Sequence, residues 1–267
     1  MLSYPSGLPV STRALTLLAE ALRQRRQRIG SSWRRLTPGR QALLVLAHLR
    51  KGERYADLAA GFDVGIATVH RYVHEALAVL AAMTPTLQHA VTVAAAKAYV
   101  VLDGTLLRID RVAMATKGDR IYYSGKHKAH GLNVQTLADP AGRLIWASPA
   151  LPGSRHDINC AREHGLLTAL AGTGVPVLAD RGYQGAARTC PEVRVPQRSR
   201  RKDRTTGAFR PLSANQRAVN RAHAALRAPG ERANAQLKSW RVLRKIRSSP
   251  TTATGLVAAV QTLILAG

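Results

Sequence analysis

Between residues 40 and 82 the apolar positions recur at helical spacing. Leu43, Leu44, Leu46, Ala47 and Leu49 give a first predicted helix from Gln41 to Lys51, ended by Gly52. A short second helix runs from Tyr55 to Ala60 and stops at Gly61. After the turn Phe62-Asp63-Val64-Gly65, a third runs from Ile66 to about Ala82, with Ile66, Val69 and Val73 expected toward the core. A short helix, a tight turn and a longer helix make a helix-turn-helix pattern. Its third helix would lie in the major groove, with Thr68, His70 and Arg71 at the base edges. A plain three-helix packing module would show the same pattern.

Residues 83–97 read as a linker containing Pro85, and beyond them the period changes from helical to extended. Ala98 to Leu102 is a continuous apolar run, predicted as a buried strand ending at Asp103, where Gly104 permits a change of direction. Thr105–Val112, His130–Ala138 and Arg143–Ser148 are predicted as further strands, the last two joined by the turn Asp139-Pro140-Ala141-Gly142 as a hairpin. A helix is expected from His156 to Ala171, a strand from Val175 to Ala179 ending at Asp180, and an edge strand at Val193–Pro196. From Ser213 the chain reads as helical, interrupted near Pro229-Gly230, with a long helix from Glu231 to about Arg247. Gly255–Gly267 is apolar, contains Gln261, and is too short for a bilayer span of about 20 residues, so it reads as a buried terminal helix.

Charge sharpens this picture. The chain of 267 residues carries 40 Lys and Arg against 15 Asp and Glu, a formal net charge of +25. An excess of that size repels itself unless a polyanion offsets it, and nucleic acid is the leading partner. The Arg-rich stretch Ala21–Arg28 reads equally as a solvated helix or a DNA-contacting arm. Two cysteines, Cys160 and Cys190, lack metal-type spacing and form no disulfide framework, which fits a reducing, cytoplasmic and nucleoid-associated setting with no membrane partner. The domains expected are a basic arm at 1–38, a helix-turn-helix domain at 39–83, a catalytic domain at 97–250 and an apolar helix at 251–267.

With so few acids, their positions are informative. Asp103 and Asp180 each end a short apolar strand and each precede a glycine within two residues. A carboxylate there is costly unless paired, either by a shared cation or by local basic residues. Glu231 begins a helix and places Lys238, seven positions on, on its own face. Alone it reads as a favourable partner of the helix dipole. Taken together, strand-end acids at Asp103 and Asp180 and a helix-borne Glu231 give a ribonuclease-H-like layout, a mixed α/β sheet flanked by helices. Hard carboxylate oxygens in that arrangement suit Mg²⁺ or Mn²⁺, two ions being the number used for in-line displacement at phosphorus.

Several stretches then resemble the insertion-sequence transposases of the DDE superfamily, in the branch with a helix-turn-helix ahead of the catalytic domain. They are Val101–Thr105, Tyr123–Lys128, His130–Val134, Pro152–Asp157, Leu178–Gly185 and Gly230–Lys238, within a resemblance covering roughly 40–250. The resemblance implies a catalytic, metal-holding triad of Asp103, Asp180 and Glu231. It also implies a signature containing Arg227, Glu231 and Lys238, with Ala224 standing where the family has Tyr. The implied activity is metal-dependent cleavage at terminal inverted repeats, followed by attack of the freed 3′-hydroxyl on target DNA. The partner is then double-stranded DNA, with a homodimer or larger assembly on it. A catalytically silent DNA-binding regulator and a stand-alone nuclease of the same fold are the alternatives. Lys126 and Lys128, with His127 between them, read as phosphate contacts or as a solvated turn, and Arg181 as a phosphate contact or charge partner. His156 and Asp157 read as an outer-shell pair beside the metal, or Asp157 as a helix cap, which is favoured. Trp240 reads as core.

Overall fold

Five helices lead the chain: α1 (Thr12–Arg28), α2 (Pro38–Lys51), α3 (Tyr55–Phe62), α4 (Ile66–Ala82) and α5 (Leu87–Ala95). They are seen in a computed structural model that describes residues 7–31, 33–109, 120–199, 202, 205–246 and 250–267. The Thr37 hydroxyl caps α2 by accepting from Arg40 N, Pro38 opens the helix, and Gly52 closes it in a left-handed conformation. α3 runs through Gly61 to Phe62, two residues further than expected. Phe62 is buried in the core, and Asp63, itself left-handed at φ 52°, makes the stop. In α4 the buried stripe is Val69, Tyr72, Val73, Ala76 and Leu77. Ile66, expected inward, is 55% exposed because it occupies the first turn of α4, beyond the reach of α2 and α3.

The segment read as a basic arm carries α1, whose Ala14, Leu18 and Leu22 are buried in the same core as α2 and α4. Ions reinforce the docking. Arg26 donates to Gln41 Oε1 at 2.7 Å, and Arg25 and Arg34 reach Glu75 at 3.4 and 3.1 Å. The stretch expected as a linker contains α5, with Ala90, Val91 and Ala94 buried against the sheet.

Eight strands follow among the described residues: β1 (Val100–Ile109), β2 (Tyr123–Ser124), β3 (Ala129–Ala138), β4 (Leu144–Ala147), β5 (Leu151–Pro152), β6 (Val177–Ala179), β7 (Val193–Arg194) and β8 (Lys245–Ile246). The spine of the sheet is β2-β3-β1-β6-β7, with β1 antiparallel to β3 and parallel to β6. β4 and β5 continue the outer edge of β3, and β8 pairs with the far end of β1. The two strands expected on either side of Gly104 are therefore one, paired with β3 from Val101 to Arg108. Residues 110–112, expected to extend it, lie outside the described residues.

The remaining helices are α6 (Asp157–Glu163), α7 (Leu166–Leu170), α8 (Ala214–Arg227), α9 (Glu231–Lys238) and α10 (Pro250–Ala266). The single helix expected over His156–Ala171 is two, because the chain turns at Gly165 with φ +67°. The long helix expected from Glu231 ends at Lys238. Trp240 leaves the helix with an extended backbone and is buried, with the Arg50 guanidinium 5.3 Å from its ring centroid. Ile246 then joins the sheet beside Ile109.

Alternation along β1 divides the core in two. Val101, Leu107 and Ile109 face α9, α10 and the N-terminal helices. Val100 and Leu102 face α5, α7 and the Tyr183 segment. α10 joins the halves: Thr262 donates to Leu80 O at 3.0 Å, and Gln261 accepts from Ala147 N at 2.9 Å. The result is a mixed α/β fold with a helix-turn-helix region at its front, helices covering both sheet faces, and no single helix among the described residues long and apolar enough to cross a membrane.

Candidate active site

β1 carries Asp103 at its centre, between paired positions rather than at an end. Thr136 stands opposite it on β3. Strand alternation sends Asp103 toward α9, as it does Val101. There Asn234 donates to Asp103 Oδ2 at 2.9 Å, and the Arg227 guanidinium lies 3.5 Å from Oδ1. Thr136 donates to Asn234 Oδ1 at 2.9 Å and so orients its amide. Burial pushes the Asp103 pKa up to about 6; Arg227 opposes that rise, and the charges of Asp180 and Asp157 add to it.

Gly104 faces the other way, and Gln135 stands opposite it. A Cβ at Gly104 would collide with the carboxylate of Asp157 and come within 3.0 Å of Gln135 Nε2. Asp157 therefore packs directly on the strand backbone. A chain of buried amides holds it: Asn133 donates to Asp157 Oδ1 at 2.8 Å, Gln135 donates to Asn133 Oδ1 at 2.7 Å, and the hydroxyl of the fully buried Tyr183 donates to Gln135 Oε1. Burial, aided by the three neighbouring aspartates, keeps the Tyr183 phenol far above its ordinary pKa, so it acts as a neutral donor.

Asp180 follows β6 directly, and its Oδ1 accepts from Gly182 N at 2.7 Å. Parallel pairing of β6 with Val100–Leu102 brings it level with Asp103. Lys126 closes the cluster, with its ammonium 3.1 Å from Asp157 Oδ2 and 3.6 Å from Asp180 Oδ2. Burial works against that ammonium, but the charges of Asp157 and Asp180 outweigh it and raise the Lys126 pKa.

Asp103, Asp180 and Asp157 thus cluster where β6 ends beside β1. Asp157 is not the helix cap: His156 takes that position through its backbone and is itself exposed. Glu231 is exposed at the start of α9, and among the described residues no group of three or more acidic, His or Cys side chains is disposed to hold a metal ion. Its backbone is nevertheless close to the sheet. Gly230 packs on Val101 so tightly that a Cβ there would overlap the valine side chain, and Asn234, one turn past Glu231, touches Asp103. Arg227 is a charge partner of Asp103. Burial lowers the pKa of Lys238 while the charge of Asp103 raises it. Lys128 and Arg181 are exposed, on the Lys126 turn and beside Asp180. On α4, Arg71 donates to Thr68 at 3.2 Å, and the exposed His70 stacks on His74 with ring centroids 4.1 Å apart.

Sequence reasoning missed Asn133, Gln135, Tyr183 and Asn234 as site residues. A signal for two of them existed. Asn133 and Gln135 are amides at alternate positions of a strand that is buried from Gly131 to Ala138, and buried amides require partners.

A mixed sheet with clustered aspartates is here joined to a helix-turn-helix region. The chain belongs to the DDE superfamily endonuclease family, which matches residues 102–264. The helix-turn-helix of DDE superfamily endonucleases matches residues 34–86. The putative transposase for insertion sequence element IS112 of Streptomyces albus G is 27% identical over 208 residues, 78% of this chain and 71% of that protein.

Proposed function

We propose that this protein is a transposase. It cuts DNA at the inverted-repeat ends of its element and joins the freed ends to target DNA, using divalent ions held by Asp103, Asp180 and Glu231. The observation that carries the reading is the convergence of carboxylate oxygens on one cation position, Lys126 Nζ, with Asp103 on the adjoining strand. An all-oxygen donor set fits Mg²⁺ or Mn²⁺. When bound, two such ions supply an activated water and stabilise the attacking and leaving oxygens at phosphorus.

The chain's own residues do the rest. Asn234 and Thr136 fix the orientation of Asp103, and Asn133 fixes Asp157. Arg227 and Lys238 bring positive charge beside Asp103, and Lys126, Lys128 and Arg181 bring it beside Asp157 and Asp180, where a DNA phosphate would approach. Glu231 would add its carboxylate to the ligand set from α9, one turn before Asn234. α4 reads the element end through Thr68, His70 and Arg71, and two or more copies pair the ends. The exposure of Glu231 favours one second reading, a catalytically silent DNA-binding regulator.

Cleavage and joining of duplexes carrying the ends that flank the gene decide among these. Asp103→Asn, Asp180→Asn and Glu231→Gln should each cost cleavage on the order of a hundredfold or more and leave duplex binding intact. If all three variants cut like the parent, the triad is wrong. Cutting without end preference or joining would mark a nuclease, and binding alone a regulator.

A further inference from the structure

The acidic site already contains a cation. The turn between β2 and β3 carries Lys126 to Asp157 and Asp180, at 3.1 and 3.6 Å. The two carboxylates are not equally movable with it. Asp157 is fixed by Asn133 behind it and by the Gly104 backbone beneath it, and Asp180 by Gly182 N. Lys126 is the mobile member: its side chain is 56% exposed, on a flexible four-carbon stem. An ammonium seated between two fixed carboxylates supplies there the positive charge that a divalent ion would bring, and the two cannot share the position.

We propose that Lys126 is a resident counter-cation of this site, which a divalent ion must displace from Asp157 and Asp180, so that Lys126 sets the ion affinity. The inference rests on the metal-dependent reading above. It makes Lys126 a positioning residue: it balances the charge of the two fixed acids, and once displaced its ammonium joins Lys128 on the rim facing DNA phosphate.

Mn²⁺ titration of the full chain, read by the electron paramagnetic resonance of unbound Mn²⁺, tests this without any cleavage assay. Lys126→Gln should tighten Mn²⁺ binding on the order of tenfold by removing the competing charge. Lys126→Arg, which keeps the charge, should stay within about threefold of the parent. Asp180→Asn, as the site control, should abolish the tightened binding, and melting curves establish that each variant folds. Binding to Lys126→Gln but not to the parent also supports the proposal. If the parent binds Mn²⁺ in an Asp180-dependent way and Lys126→Gln binds equally or more weakly, the displacement idea is overturned while the metal reading stands. If neither chain binds an ion that depends on Asp180, both fall.

Discussion

On one face of β1, Asp103 meets Arg227 and the Asn234 amide; on the other, behind Gly104, Asp157 meets a ladder of buried amides. The two acids are a strand's thickness apart, yet they are held by different physics. Asp103 is balanced mainly by charge, and burial leaves its carboxyl at about 6. Asp157 is held by geometry, since each amide behind it has its partner. The difference teaches how a fold can keep acids close together. One acid is made adjustable, the other is made rigid, and a lysine spans the rigid one and Asp180.

The largest effect should come from filling the space behind Asp157. Gly104→Ala places a methyl group inside the Asp157 carboxylate, and Asn133 blocks simple retreat. Overpacking of this kind should cost about 3 kcal/mol of stability. Displacing Asp157 should also lower cleavage on the order of a hundredfold. Urea unfolding and a cleavage assay read the two effects separately. A Gly104→Ala protein as stable and as active as its parent would show that Asp157 moves aside at no cost and is not rigid.

The charge-balanced face is tested through pH. The folded chain holds the Asp103 proton at about 6, above the ordinary carboxylate value of 3.8, so folding favours the protonated form. That contribution is fully present below the unfolded pKa and is lost as pH rises through about 6. Asp103→Asn removes the loss. In chelator, the variant should match the parent near pH 4 and exceed it by about 2 kcal/mol near pH 7, a value discounted for residual solvent exposure. Urea melts across that range check it, and a difference that does not grow with pH would remove charge balance as the account of this face.

How much of this was legible beforehand follows the same division. Val101-Leu102-Asp103 and Leu178-Ala179-Asp180 announce their acids locally, because an apolar run followed by a carboxylate is visible in a single strand's period. The local pattern nevertheless divides strand β1 in two at Gly104. A glycine reads as a bend, whereas here it leaves room for Asp157 from an element more than fifty residues away. Asp157 reads as a cap for the same reason: it begins α6 while its partner Asn133 lies on β3, and side-chain pairing across elements leaves no local period. The end of α9 was overrun because Trp240 leaves the helix to bury its ring, a tertiary demand that overrides propensity.

The smallest effect is the most discriminating between the two faces. Tyr183→Phe keeps the ring in its buried site and removes one hydroxyl, leaving Gln135 Oε1 without its donor. An unsatisfied buried acceptor should cost about 1 kcal/mol. Asn133 still donates to Asp157, so the acid stays in place and cleavage should fall only about threefold. The loss should be the same near pH 5 and pH 8, because no group on the amide ladder changes charge there, in contrast to the pH-dependent gain expected from Asp103→Asn. Paired urea melts at the two pH values decide it. A Tyr183→Phe penalty that varies with pH would mean the ladder is coupled to the charge of Asp103 across the strand, and the two faces would have to be treated as one titrating unit.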